Sequence, residues 1–420
     1  MAINISPDNP MVSMGCRCAV NRYRRLTMTD SVRSVRPRDR KAQLAAVAAE
    51  LFRARGFPGV GIKDIADAAG VTGPALYRHF ADKQAILAYV VLGGFEDLEA
   101  ATAEALSDSV PPADQLEALL TRLAAQAVER REIAALWRWE GRHLPKEDQR
   151  EIARRSALAL ASWSKSLLVQ RPELPAGDAE LLCWAALSVF GSVSVHHTAV
   201  ARRRFAQLLV ELALGVLNAT LPTPASPPSD TPSLRLGTPS RREQVLAEAT
   251  ALFAQRGFHD VSMEDIGAAA GIAGPSVYRH FPSKAALMVA IGHRAADRLA
   301  LAAERALQAT DERSALHRLA ASYVHTILHT PELLVSFSAD RVTMPDRDKA
   351  DLLRVQRDYV TQWVTLLSAV QPDLPPREAK ITVHAALTIA NDLARTRRVA
   401  SRPHFEAELT ALLHTILSVA

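Results

Sequence analysis

The sequence predicts an all-α protein written as two tandem copies of one unit. Three observations carry that expectation. Aromatics are only 5% of 420 residues, Ala and Leu are abundant, and no alternation of Val, Ile and Thr is sustained as a strand would need. A stretch from Gly56 to Lys83 returns without a gap from Gly257 to Lys284, 201 residues later. Between the copies lie six prolines in residues 220–240, a composition that excludes helix and suits an extended linker.

The repeated stretch reads as a short helix, a Gly-centred turn and a second short helix. Asp64-Ile65-Ala66 opens an amphipathic turn that stops at Gly70, where a left-handed cap costs glycine no Cβ clash. Thr72 is placed to cap the next helix, and Pro74 falls in its first turn, where a missing N–H does no harm. A helix over 73–80 is too short to stand alone. It needs support from helices over 38–55 and 82–98, and in the second copy over 239–256 and 284–299. This is the helix-turn-helix pattern that enters the DNA major groove.

Gly56-Phe57, Asp64-Ile65-Ala66, Ala69-Gly70-Val71, Leu76-Tyr77-Arg78-His79-Phe80 and Lys83 resemble the DNA-binding domain of the TetR/AcrR family of bacterial transcriptional regulators. Gly257-Phe258, Gly271-Ile272 and Tyr278-Arg279-His280-Phe281 repeat the resemblance. It covers about 50 residues in each copy. It implies a helix-turn-helix domain followed by a helical sensor and dimerisation domain, twice, packed as an intrachain pseudo-dimer. The expected divisions are a disordered basic tail (1–37), DNA-binding domains at 38–87 and 239–288, sensor and pairing domains at 88–219 and 289–420, and a Pro-rich linker at 220–238.

The tail carries the charge. Nine Lys and Arg against three Asp in residues 1–41 leave the rest of the chain near neutral, although the net formal charge is +5. It has two readings, a basic arm reaching DNA or a segment upstream of a start at Met28. It lacks the apolar core of a signal peptide. Cys16 and Cys18 are too closely spaced for the usual zinc pair, and Cys183 reads as a small core residue, so a reducing, cytoplasmic, nucleoid-associated setting is expected. Leu181–Val200 holds no Asp, Glu, Lys or Arg. Its serines and histidines favour a buried interface helix over a membrane span.

The repeat extends beyond the first domain of each copy. Trp163 matches Trp363, Pro172 and Pro175 match Pro372 and Pro375, and Phe205 matches Phe405, all at an offset of 200. In the family the last two helices of each subunit pair about a two-fold axis. The matching segments are 178–198 with 203–219, and 378–396 with 403–420. Two recognition helices on one DNA face are then expected about 34–36 Å apart.

The resemblance implies phosphate contacts from Tyr77, His79 and Lys83 and from Tyr278, His280 and Lys284. A phenol, an imidazole and an ammonium can each donate to phosphate oxygens. Arg78 and Arg279 lie beside them, within reach of a base edge or a phosphate. The base-reading positions are Thr72, Gly73, Pro74 and Ala75, and Ala273, Gly274, Pro275 and Ser276. These are small residues, so DNA shape is expected to carry much of the specificity. Ser262 opens the first helix of the second motif, where the first copy has the weaker cap Gly61.

Apolar sensor pockets lie between helices. Candidate lining residues are Trp137, Trp139, Trp163, Trp184 and Phe190 in copy one, and Tyr323, Phe337 and Trp363 in copy two. Leu136-Trp137-Arg138-Trp139-Glu140, Glu147 to Arg150, Ala270 to Arg279, and Asp392-Leu393-Ala394-Arg395-Thr396 resemble the tandem actinobacterial regulators of mammalian-cell-entry (mce) lipid-import genes.

The expected function is a DNA-binding repressor released by a small apolar ligand, acting as one chain on a non-palindromic operator in lipid or steroid metabolism. The alternative is a constitutive architectural DNA-binding protein with no ligand. No nucleophile–base constellation, phosphate loop or metal-spaced His/Cys cluster is read, so no enzyme, cofactor or metal is expected. His196 and His197 are adjacent and cannot form a helical i, i+4 metal pair.

Overall fold

Helix follows helix because the linking turns are capped. The structure, a computed structural model, describes residues 37–222, 239–338 and 344–419. The expected basic tail lies outside the described residues except for Pro37, and the linker except for 220–222. Among the described residues there is no strand.

Copy one is α1 (Pro37–Arg55), α2 (Ile62–Ala68), α3 (Gly73–Tyr77), α4 (Lys83–Ala105), α5 (Gln115–Glu129), α6 (Arg131–Glu140), α7 (Lys146–Gln170), α8 (Ala176–Gly191) and α9 (Arg202–Leu217). Copy two is α10 (Arg241–Arg256), α11 (Met263–Ala269), α12 (Gly274–Val277), α13 (Lys284–Leu307), α14 (Glu312–His329), α15 (Pro331–Ser338), α16 (Asp346–Val370), α17 (Pro376–Arg395), α18 (Arg397–Ala400) and α19 (Phe405–Val419). Among the described residues, 37–44 fall in one unit, in which Arg40 donates to Gln43 at 3.4 Å. The second unit begins at Ala45 and holds α2 to α19.

The period holds at the level of elements. α7 and α16 run 146–170 and 346–370, offset by 200 throughout. The copies differ most between their fourth and fifth helices, joined by 106–114 in one and 308–311 in the other. The charge-free run 181–200 is not one helix. α8 stops at Gly191, a 3-10 turn follows over Ser192–Ser194, and His196 turns inward while His197 stays exposed. Ala176–Ser194 is long and apolar enough to cross a membrane by length and composition, yet its buried face packs on α9 and α17. Cys183 lies in that buried face, and burial pushes its thiol up to about 12, which makes it unreactive.

One apolar core runs through both copies. Leu181, Ala185, Val189 and Leu212 from copy one share it with Ile381, Ala385, Ile389 and Leu412 from copy two. α8 lies against α17 and α9 against α19. Ion pairs rim this seam and are exchanged between copies. Arg204 donates to Glu378 at 2.6 and 3.1 Å, and within its own copy to Glu211 at 2.9 Å. Arg402 mirrors it, donating to Asp178 across the seam and to Glu408 at 2.6 Å. Asp178 and Glu378 are 200 residues apart, so the pairing is close to two-fold. A one-sided contact adds to it: Arg138 grips Asp392 with two hydrogen bonds of 2.6 Å.

His196 of copy one stacks on His384 of copy two, with ring centroids 4.8 Å apart. Burial, with smaller contributions from neighbouring cations, holds His196 down to about 2 and His384 down to about 4. Both folded values lie below the ordinary histidine value of about 6.5. Their stabilising contribution is therefore complete above that value and is lost as pH falls from it through the folded values. Calorimetry should find Tm falling between pH 7 and pH 4, and His384→Leu should flatten that fall. An unchanged slope in the variant would remove the histidine pair as its cause.

Candidate nucleic-acid interface

The two recognition helices are among the shortest in the protein, and each is fixed by its neighbours. After α2, Gly70 takes φ +65° and Val71 N–H donates to Ala66 O at 2.9 Å. After α11, Gly271 takes φ +66° and Ile272 N–H donates to Gly267 O at 2.9 Å. This is the Schellman closure that a left-handed glycine permits. Thr72 Oγ1 caps α3 by accepting from Ala75 N–H at 3.4 Å, whereas Ala273 gives α12 no side-chain cap.

Leu76 and Phe80 are buried, as are Val277 and Phe281. That i, i+4 pair anchors each short helix and turns the next residues outward. Tyr77 is 56% exposed and Tyr278 49%. Arg78 and Arg279 are exposed, as are Thr72, Pro74, Ala273 and Pro275, while Gly73, Ala75, Gly274, Ser276, His79 and His280 are half-buried. Thr72, Pro74, Tyr77 and Arg78 thus face solvent in copy one, and Ala273, Pro275, Tyr278 and Arg279 in copy two. A large exposed phenol with no core to fill is what a contact surface provides.

The lysines depart from the expectation. Lys83 Nζ donates to the carbonyls of Phe57 and Val60 at 2.9 and 3.1 Å and sits 4.4 Å from the Phe57 ring centre. Lys284 Nζ donates to Phe258, His259 and Val261 at 2.8, 3.4 and 2.7 Å and sits 4.5 Å from the Phe258 ring. Burial lowers the Lys284 ammonium, as removal from water must. An ammonium has three donors. In this geometry those of Lys284 are directed at backbone carbonyls, and so are two of those of Lys83. Each lysine fastens the loop before the motif to the start of the following helix.

The second copy is better capped. Ser262 Oγ accepts from Asp265 N–H at 3.0 Å, and Asp265 accepts from Ser262 N–H at 2.8 Å. The Ser262 N–H bond first, and then the Ser262 hydroxyl donating to the same carboxylate at 2.7 Å, hold the Asp265 carboxyl down at about 2. Copy one keeps only the reciprocal half, Gly61 N–H to Asp64 at 2.8 Å. Ser262, Tyr278, Ser283 and Lys284 line an open groove of about 620 Å³ with His259 and Asp265.

The candidate ligand residues scatter. Trp163 and Trp363 are fully buried, and Trp163 donates its indole N–H to Thr102 Oγ1 at 3.0 Å. Phe190 is core, and Tyr323, also buried, donates to Asn391 at 3.0 Å. Trp184 and Trp139 are half-buried, and Trp137 stands 37% exposed, edge-on to Phe95. The Phe337 side chain lies outside the described residues. Trp163, Phe190, Tyr323 and Trp363 therefore belong to the packing shared by the C-terminal helices of the two copies.

The expected absence of a metal-spaced histidine cluster is corrected. His325 and His329 stand one turn apart on α14, and Glu406 of α19 meets both. The i, i+4 spacing is readable in the sequence; the carboxylate, 77 residues beyond His329, is not.

The chain matches the family described as "Bacterial regulatory proteins, tetR family" twice, over residues 44–90 and 245–291. It is 31% identical over 163 residues to the HTH-type transcriptional activator FasR of Mycolicibacterium smegmatis, covering 38% of this chain and 74% of that one. It is 31% identical over 105 residues to the HTH-type transcriptional repressor KstR2 of Rhodococcus jostii, covering 25% of this chain and 52% of that one. Among solved structures, the ketosteroid transcriptional regulator KstR2 of Mycobacterium tuberculosis is 21% identical, covering 40% of this chain and 86% of that one, with a TM-score of 0.33.

Two substitutions separate anchoring from DNA contact. Lys83→Met removes two charged hydrogen bonds and should cost about 2 kcal/mol of stability without DNA. Tyr77→Ala should leave Tm unchanged and weaken DNA binding. Equal Tm values for Lys83→Met and the parent chain would overturn the anchoring role. Ser262→Ala should cost about 1 kcal/mol by losing its cap, read by hydrogen exchange in α11.

Proposed function

The chain belongs to the tetR family of bacterial regulatory proteins, and from that premise we propose that a single chain does the work of a two-fold dimer on one operator. The observation that carries this reading is the core shared by α8, α9, α17 and α19, which packs together two non-identical copies already joined in one chain. Tyr77, Arg78 and His79 with Thr72 to Ala75 form one contact surface. Tyr278, Arg279 and His280 with Ser262 and Ala273 to Ser276 form the other. Lys83 and Lys284 hold these surfaces in place.

A homodimer presents two identical helices and reads a palindrome. Here Thr72 stands opposite Ala273 in the repeat, and Ala75 opposite Ser276. The operator is accordingly non-palindromic, with two unlike half-sites. The regulator is a repressor in the cytoplasm, on the nucleoid, released when a small apolar ligand enters a sensor half. Lipid or steroid metabolism is the regulated process. The motifs around Trp137 and Asp392 support that process; the similarity to KstR2, named as a repressor, supports repression, while FasR is named as an activator.

Native mass spectrometry of the chain with its own upstream DNA should give one chain per operator. Replacing either half-site by a copy of the other, which makes the operator palindromic, should weaken binding by roughly tenfold or more, the cost of about one mismatched base pair. Two chains per operator would mean that the copies do not serve as each other's partner on DNA. Unchanged affinity for both palindromes would remove the unlike half-sites.

A further inference from the structure

The seam between α14 and α19 carries chemistry that DNA binding does not use. His325 and His329 lie at i and i+4 on α14, the spacing that places two imidazoles on one helical face. Glu406, in the first turn of α19, meets His325 Nδ1 at 2.8 Å with one oxygen and His329 Nε2 at 2.9 Å with the other. The three potential ligand atoms lie within 4.8 Å of one another. The side chains are 65%, 56% and 45% exposed, so an ion can enter from solvent without opening the core.

We propose that His325, His329 and Glu406 form a binding site for one divalent first-row transition ion of the zinc type. Two imidazoles and one carboxylate are a donor set such ions prefer, whereas Ca²⁺ and Mg²⁺ take oxygen ligands. Metal–ligand bonds there are about 2.0–2.2 Å, so a small opening of the present contacts admits the ion. The carboxylate balances part of its charge, and His329 sits in the last turn of α14, where a helix end favours a cation.

The site belongs to copy two alone. At the offset of 200 copy one has Ala125, Glu129 and Ala206. A bound ion would therefore clamp one sensor half only. It would join α14 to α19, whose opposite face supplies Leu409, Leu412, Leu413 and Ile416 to the shared core. A second histidine pair on the same seam, His317 stacked on His414 at 4.3 Å, has no carboxylate between its rings among the ligand groups described and serves as an internal control.

The test is titration of the full chain with Zn²⁺ alone by calorimetry, beside a thermal-shift series. The expected result is one Zn²⁺ per chain and a rise in Tm. His325→Ala, His329→Ala and Glu406→Gln should each weaken Kd roughly tenfold or more and abolish the shift at the same Zn²⁺ concentration. His414→Ala and the double variant Cys16→Ser/Cys18→Ser should bind as the parent does. The proposal is overturned by no binding up to about 1 mM Zn²⁺, by binding that survives His325→Ala/His329→Ala, or by binding that disappears with the cysteines instead. The histidines are exposed, so their variants keep the fold, which circular dichroism checks.

Discussion

The structure depends on the burial of four helix faces against one another, α8 and α9 from one copy and α17 and α19 from the other. Each of these helices presents small and branched apolar residues that have no other place to hide from water. Separated, either copy would expose that face whole, and an exposed apolar patch of such extent is what proteins bury by pairing. Covalent linkage makes the partner permanent and removes the concentration dependence that a dimer carries. It also frees each copy to diverge, because no symmetry operation forces one sequence to serve both sides.

The divergence is visible where the copies are compared atom by atom. The seam retains near two-fold exchange at Arg204–Glu378 and Arg402–Asp178 but adds the one-sided Arg138–Asp392 pair. The recognition turns keep the same glycine geometry yet change their support. Copy two has Gly267 where copy one has Ala66, and a Cβ there would come within 2.9 Å of Ile272 O. Copy two also closes its capping box with a hydroxyl that copy one lacks. The backbone of the DNA-binding unit is thus held constant while the strength of its fastening varies.

Which features are legible in the sequence follows from what each depends on. The helical class and the duplication are readable because period, turn glycines and Pro74 act locally. So are the exposed Tyr77 and Tyr278, since the helix register that buries Leu76 and Val277 turns them outward. The lysines are legible only in part. Their carbonyl partners are fixed by how the loop at 57–60 folds over the next helix, which a spacing rule does not contain. The aromatics are harder still. Trp163 and Trp363 recur at the same offset as sensor residues would, but recurrence is equally the mark of a core position. Pairs such as Arg138–Asp392, 254 residues apart, leave no local trace at all.

α6, ten residues long, and the turn after it lie between the seam of the two copies and both DNA-binding units. At its start Arg131 donates to the carbonyls of Val193 and His196, beside the buried histidine pair. In its last turn Arg138 holds Asp392 of the other copy. Past its end His143 stacks on Phe57 at 5.0 Å and stands 6.4 Å from His259, so one turn touches both DNA-binding units. Phe57 is the ring beneath Lys83, and His259 supplies one of the carbonyls that Lys284 binds. α6 and the turn after it therefore connect the seam between the copies with the loops that both lysines fasten. Interfaces packed this closely move between discrete arrangements and do not deform smoothly.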